Sequence, residues 1–127
     1  MTIRMVIEAA DAMRGNRLSA AFKIKCLSEL DWQIFEDIIR RHEGNAQETF
    51  TPHESDTAVL LAPESFAPMY EAYLCARVDA AQGETALYDA DRKRFEAQYA
   101  RFAAWYNETH LPKRNAAIRV SEPFERR

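Results

Sequence analysis

Three histidines, His42, His53 and His110, carry the side chains best suited to acid–base chemistry or metal binding near neutral pH. None of them belongs to an HExxH pair, an ExxH pair or a Cys/His cluster with the spacing of a metal site. Each lies near a predicted helix end or in a predicted loop, which favours a solvated or capping role. The two cysteines, Cys26 and Cys75, lack CxxC spacing, so we predict buried free thiols. The sequence predicts no catalytic, cofactor-binding or metal site, and we do not expect an enzyme.

Two charged residues interrupt the apolar faces of predicted helices. Asp31 lies four residues from both Leu27 and Phe35, and Arg77 lies three residues after Leu74. Because an unpaired buried charge is costly, each of the two needs a partner or access to water. Three interpretations stay open: a mutual buried ion pair between Asp31 and Arg77, a contact with a neighbouring subunit, or a role in an active site.

The spacing of apolar residues predicts four helices and an all-α fold. Thr2 and Ser19 are the predicted N-caps of the first two helices. The three-residue connection Gln82-Gly83-Glu84 predicts that the last two helices form an antiparallel hairpin. The predicted helices run from about Ile3 to Met13, from Ser19 to Gly44, from Ser65 to Gln82 and from Glu84 to Thr109. We assign residues 1–112 to one helical domain.

The stretch from Gly44 to Pro68 is predicted to be a long irregular loop. It contains several turn-forming residues and has at most a short strand near Thr57 to Leu61. A connection of this length within a small domain is more often functional than not. We therefore predict that the loop binds a partner, with Val59 and Leu60 as interface residues.

Residues 113–127 are predicted to form a flexible basic tail. Five basic and two acidic residues give it a net charge of +3, and subtracting this from the total of −3 leaves −6 for residues 1–112. Lys113, Arg114 and Arg119 are its predicted contacts with a partner.

Five aromatic residues share one stripe of the last predicted helix, and we expect them to pack in the core. They are Tyr88, Phe95, Tyr99, Phe102 and Tyr106. Trp105 lies beside this stripe, and Trp32 lies off the apolar face of its own helix. Because tryptophan is enriched at protein interfaces, we predict that at least one of Trp32 and Trp105 contacts a partner.

Charge and hydropathy limit the classes of function. A formal net charge of −3 argues against a dedicated nucleic-acid-binding protein. No window approaches the roughly 20 apolar residues of a membrane helix, and the first residues lack the apolar run of a signal peptide. We expect a protein kept in a reducing cytosol, with no membrane partner.

Three stretches of the chain, over roughly residues 20–113, are KIKCLSELDWQIFEDII, DTAVLLAPESFAPMYEAYL and DAAQGETALYDADRKRFEAQYARFAAWYNETHLPK. Their order resembles a family of small helical proteins from tailed bacteriophages and prophages, which are similar to head–tail connector (adaptor) proteins. The Gly-Glu helix hairpin that closes on WYNETHLPK is the most specific part. Cys75 and Arg77 depart from the apolar residues expected there, and the tail after Pro112 matches no pattern. The resemblance supplies no catalytic residue.

The resemblance implies a virion assembly protein, a ring-forming connector between portal and tail. Its implied partners are other copies of itself, the phage portal and tail-completion proteins. Whether DNA also passes through the ring, bound without sequence specificity, is left open. Its implied location is the host cytoplasm during assembly and then the virion. A small helical binding or regulatory module, or a DNA-packaging accessory factor, is the alternative. The nearly balanced charges of the last predicted helix argue against a basic recognition helix in that alternative.

Overall fold

The structure, a computed structural model, describes residues 1–44 and 47–113. Four α-helices hold most of these residues, which form no strand beyond two isolated bridges, and the predicted all-α fold is confirmed. The helices are α1 (Ile3–Met13), α2 (Ala20–Asp37), α3 (Ala67–Ala81) and α4 (Thr85–Thr109). Two short 3-10 turns, Ile39–Arg41 and Glu64–Phe66, follow α2 and precede α3.

The N-caps of α1 and α2 are the two that the sequence predicts. Thr2 Oγ1 accepts a hydrogen bond from Met5 N at 3.4 Å, and Ser19 Oγ accepts one from Phe22 N at 3.1 Å. Each cap satisfies an N–H group of a first helical turn, where no preceding carbonyl is available. The starts of both helices are therefore determined by local chemistry.

The C-terminal end of α2 differs from the prediction of one helix that continues to Gly44. Ile38 leaves helical geometry with φ −125° and ψ −64°, and a 3-10 turn follows. The change buries two adjacent residues, Ile38 and Ile39, which are 6% and 8% exposed. In a regular helix, the side chains of two consecutive residues point about 100° apart, so Ile38 and Ile39 would not both face the core. The carbonyl oxygen of Ile38 accepts a hydrogen bond from Arg41 N at 3.2 Å and lies 2.6 Å from His42 Nδ1, so it has two partners after the break.

Helix α3 is central and packs against α1, α2 and α4. Its residues Tyr70, Leu74, Cys75 and Val78 are at most 1% exposed. Cys75 and Cys26 are buried free thiols, as predicted. The core therefore surrounds α3, and the other helices each cover part of it.

Helix α4 covers α3 from one side only, so its aromatic stripe is less buried than we expected. Phe102 is fully buried, whereas Phe95, Tyr99 and Tyr106 are half-buried against the core. Tyr88, near the start of α4, is also half-buried. The predicted stripe exists, but its edges stay in contact with solvent.

The described part of the long loop lies against the start of α1. Three backbone hydrogen bonds hold it there: Ile3 N to Ala58 O at 3.0 Å, Arg4 N to Asp56 O at 2.8 Å, and Leu60 N to Met1 O at 3.0 Å. The sequence predicts at most a short strand in this loop, and the structure has one isolated antiparallel bridge between Thr2 and Val59. The loop is thus attached to α1, and hydrogen bonds to Ser28 and Asp31 attach it to α2 as well.

Candidate docking groove

Asp31 is fully buried and joins α2, α3 and the long loop. Its carboxylate accepts hydrogen bonds from Tyr70 Oη at 2.6 Å and from Leu61 N at 3.0 Å. His53 Nε2 lies 2.8 Å from the same carboxylate. Burial and, after it, the charge of Asp31 raise the pKa of Tyr70, so the phenol stays protonated and donates. Three polar contacts therefore compensate the desolvation of Asp31.

The predicted ion pair between Asp31 and Arg77 is wrong. Arg77 Nη1 donates to Glu29 Oε1 at 2.9 Å and to Tyr73 Oη at 2.7 Å, at the protein surface. The partners of Asp31 come from the loop and from α3, and the path of a loop cannot be read from helical periodicity. The broader expectation, that each charge has a polar partner, holds for both residues.

His53 fixes a short loop segment, residues 50–54, beside α2. The backbone N of His53 donates to Ser28 Oγ at 2.9 Å. Its imidazole packs edge-on against the aromatic ring of Phe50, with centroids 5.3 Å apart. Phe50 in turn lies 6.2 Å from the ring of Phe35 in α2. Polar and aromatic contacts together hold this segment as a wall next to the helix.

An open groove of about 560 Å³ lies between this wall and α2; we call it the α2 groove. Its apolar lining consists of Ala21, Ile24, Trp32, Phe50 and Pro52. Lys25, Glu29 and Glu54 supply charged groups in the same groove. Trp32 is 55% exposed there, although the side chain is large and apolar. An apolar groove with an accessible aromatic residue and charged groups nearby is typical of a protein-docking surface.

Ser28, His53 and Asp31 bring the residue types of a hydrolytic triad to one side of the groove. Ser28 Oγ, however, accepts a hydrogen bond from the backbone N of His53. A triad requires the serine hydroxyl to donate to the imidazole, so that the imidazole can accept its proton. The described geometry lacks that contact, and the three residues here fix the position of the loop.

Trp105 belongs to a second aromatic cluster at the C-terminal end of α4. Its indole lies 5.2 Å from the ring of Phe66 and 6.1 Å from that of Phe102. Tyr106 stacks on His110 with centroids 3.8 Å apart, and these residues line a smaller cavity of about 330 Å³. Trp105 is half-buried among these partners. Of the two tryptophans, Trp32 is therefore the more exposed, although Trp105 also lines a cavity.

The other predicted interface residues divide according to exposure. Val59 is 65% exposed, but Leu60 is only 4% exposed, so the prediction of Leu60 as a surface contact is wrong. Neighbouring residues of an extended segment point to opposite sides, and here Leu60 points to the core. Lys113 is exposed, and its N donates to Arg41 O at 2.9 Å. Arg114 and Arg119 lie outside the described residues.

A separate acidic cluster lies where the end of α1 meets α3 and α4. Arg14 approaches both Asp79 and Asp91, at 3.3 Å and 2.9 Å, and Arg94 lies 2.9 Å from Asp91. Neither carboxylate oxygen of Asp79 completes a hydrogen bond among the described residues. Burial and then the neighbouring Asp91 carboxyl raise the pKa of Asp79 to about 6. Burial opposes ionisation of Asp91 too, but its interactions with the neighbouring Asp79 carboxyl, Arg94 and Arg14 lower its pKa.

The sequence analysis missed the wall of the α2 groove and the acidic cluster. Phe50, Pro52 and His53 follow one another closely in an otherwise polar part of the loop. An aromatic residue two positions before a proline in such a loop is a signal that could have indicated a packed segment. No comparable signal marks Asp79 and Asp91, since their proximity depends on how the two helices of the hairpin face each other.

Within residues 1–44 and 47–113, no three or more His, Cys, Asp or Glu side chains are grouped as metal ligands. The helices of these same residues include none long and apolar enough to cross a membrane. No family model, no curated protein and no solved structure matches the chain. The candidate site is therefore described by its geometry alone, as an apolar-lined groove on the surface of an all-α domain.

Proposed function

We propose that this protein is a virion assembly subunit of tailed bacteriophages, a ring-forming head–tail connector between portal and tail. The observation that carries a docking role is the α2 groove, in which Trp32 is 55% exposed among apolar neighbours. The phage assignment rests on the resemblance of roughly residues 20–113 described above. The partners in this proposal are other copies of the chain, the portal and tail-completion proteins.

The charges of α4 support a protein partner over a nucleic acid. Arg92 pairs with Glu96 at 2.8 Å, and Arg94 pairs with Asp91 at 2.9 Å. Basic side chains that are engaged by carboxylates are less available to phosphates. If DNA passes through the proposed assembly, it does so without sequence-specific contact. The protein then acts in the host cytoplasm during assembly and afterwards in the virion.

The test of this function is incorporation into an assembly with the cognate portal protein. We expect the full-length protein to co-sediment with portal rings and to add a ring-shaped density beneath them in electron micrographs. Trp32→Lys should reduce incorporation about tenfold or more, because it places a charge in an apolar contact. The matched control is Leu87→Lys, which changes a 39% exposed residue of α4 outside the groove.

Full-length protein that joins no portal or tail assembly at any ionic strength would remove the connector proposal. A small helical binding or regulatory module would then be the better interpretation, since the groove would still accommodate a partner peptide. If the Trp32→Lys and wild-type proteins were incorporated equally, the α2 groove would have no part in this function. A salt series distinguishes contacts between exposed charges, which weaken as salt rises, from apolar ones.

A further inference from the structure

The α2 groove has the properties of a receptor for an extended apolar and basic segment. Its lining is apolar at Ile24, Trp32 and Phe50, and it also contains the carboxylates of Glu29 and Glu54. Glu54 is exposed, Glu29 already pairs with Arg77, and Lys25 adds a positive charge to the same lining. A segment with spaced apolar side chains, and with a positive charge placed near Glu54, would therefore be complementary to it.

Residues 114–127 of this same chain, RNAAIRVSEPFERR, have that composition. Ile118, Val120 and Phe124 are spaced apolar side chains, and Ile118 and Val120 fall on one side of an extended segment. Four arginines and two glutamates give these residues a net charge of +2, whereas residues 1–112 carry −6. The apolar pattern matches the lining of the groove, and the charge of the segment is opposite in sign to that of residues 1–112.

The segment begins outside the α2 groove and is long enough to reach the groove of its own chain or that of another copy. Lys113, which precedes it, donates from its backbone N to Arg41 O at 2.9 Å, beyond the C-terminal end of α2. Fourteen extended residues span up to about 46–50 Å, and α2 with 18 residues is only about 27 Å long. The groove occupies α2 from Ala21 to Trp32. The start of the segment and the groove are thus different surfaces of one subunit.

We propose that residues 114–127 of one copy dock in the α2 groove of the next copy, with Phe124 against Trp32. A contact between two different surfaces is heterologous, and it repeats around an axis to close a ring when the rotation permits. This inference rests on the proposed ring-forming function and supplies the contact that such a ring would use. Asp31 and His53 have a positioning role in it, because they hold the wall of the groove.

The first test uses a labelled peptide of residues 114–127 and the full-length protein at concentrations where it is monomeric. We expect saturable binding, measured by fluorescence anisotropy. Trp32→Lys in the protein should weaken it about 30-fold or more, which corresponds to the loss of a hot-spot tryptophan. Replacing Phe124 of the peptide by alanine should weaken it about tenfold, whereas Leu87→Lys in the protein should leave it unchanged. Raised salt should weaken binding, because the peptide is basic.

The second test identifies which copy supplies the segment. A photoreactive phenylalanine analogue at position 124 of the full-length chain should give covalent dimers and larger species, with adducts mapped between Ala21 and Glu54. Adducts that stay within one chain at all concentrations would overturn the proposal, because the segment would then fill its own groove. Adducts that map elsewhere, or peptide binding indifferent to Trp32→Lys, would also overturn it.

The two levels of proposal fail in different ways. If the peptide binds but the protein does not join portal assemblies, the proposed contact between copies stands and the connector function is wrong. If the protein joins portal assemblies and neither Trp32→Lys nor Phe124→Ala affects this, the connector function stands and the proposed contact is wrong.

Discussion

Asp79 and Asp91 show how two identical side chains acquire opposite behaviour from their surroundings. Asp79 is buried and lies 3.3 Å from Arg14, but neither of its carboxylate oxygens completes a hydrogen bond among the described residues, so the ionised form is poorly stabilised. Asp91 receives ion pairs from Arg14 and from Arg94. Its ionised form is therefore favoured, and the proton remains on Asp79 at mildly acid pH. The pair therefore makes the stability of the fold depend on pH.

The pH dependence has a definite sign. The ordinary pKa of an aspartate side chain is 3.8, and that of Asp79 in the folded protein is about 6. Between these values the folded state binds the proton more tightly than the unfolded state, so this residue lowers stability as pH rises through that window. We expect Asp79→Asn, which mimics the protonated form, to raise the free energy of unfolding at pH 8 by on the order of 2 kcal/mol. The gain should nearly vanish by about pH 4, as measured by urea denaturation at each pH.

Asp56→Asn is the matched control for this measurement. A hydrogen bond from Arg4 lowers the pKa of Asp56, so this carboxylate contributes stability at neutral pH that is lost in acid. Its replacement should therefore lower stability at pH 8 slightly, with the opposite sign to Asp79→Asn. A stability difference for Asp79→Asn that does not change between pH 4 and pH 8 would contradict the assignment.

At the scale of elements, the turn between α3 and α4 depends on one backbone conformation. Gly83 has φ +74°, a left-handed value that side chains other than glycine rarely adopt. The N–H groups of Gln82, Gly83 and Glu84 donate to the last carbonyls of α3, which closes the helix within the turn. Helices α3 and α4 are therefore antiparallel because the connection is both short and tightly bonded.

We expect Gly83→Ala to destabilise the protein by about 1 kcal/mol, because alanine is strained at that φ. Gly15→Ala is the matched control, since neither glycine has an atom within 4 Å of an added Cβ and only Gly83 has a positive φ. The control should be neutral or slightly stabilising. Equal midpoints for the two variants in urea denaturation would show that the turn tolerates another conformation.

Local features of the elements were predictable, and features that join distant segments were not. The caps at Thr2 and Ser19 follow from one or two neighbouring residues. The end of α2 was mispredicted because the burial of Ile39 next to Ile38 is decided by the surrounding core. The loop partners of Asp31, and with them the wall of the α2 groove, lie 22 and 30 residues away in the chain. Periodicity carries no information about the path of that loop.

At the scale of the whole molecule, charge is unevenly distributed along the chain. Residues 113–127 carry +3 and residues 1–112 carry −6, which adds to the total of −3. Opposite charges on two surfaces favour association of copies in a defined orientation, and this attraction is strongest at low salt. The proposed contact between residues 114–127 and the α2 groove uses that distribution together with the exposed Trp32.

The attachment of the loop to α1 has a consequence for the order in which the molecule folds and opens. Arg4 and Asp56 are 52 residues apart, whereas α3 and α4 are joined by a three-residue turn. Closing the longer loop costs on the order of 2 kcal/mol more chain entropy, so the hairpin should form early and α1 should dock late. In native-state hydrogen exchange, the amides of α1 should exchange through a lower-energy opening than those of α3. Equal protection of α1 and α3 would instead indicate that the whole domain opens as one unit.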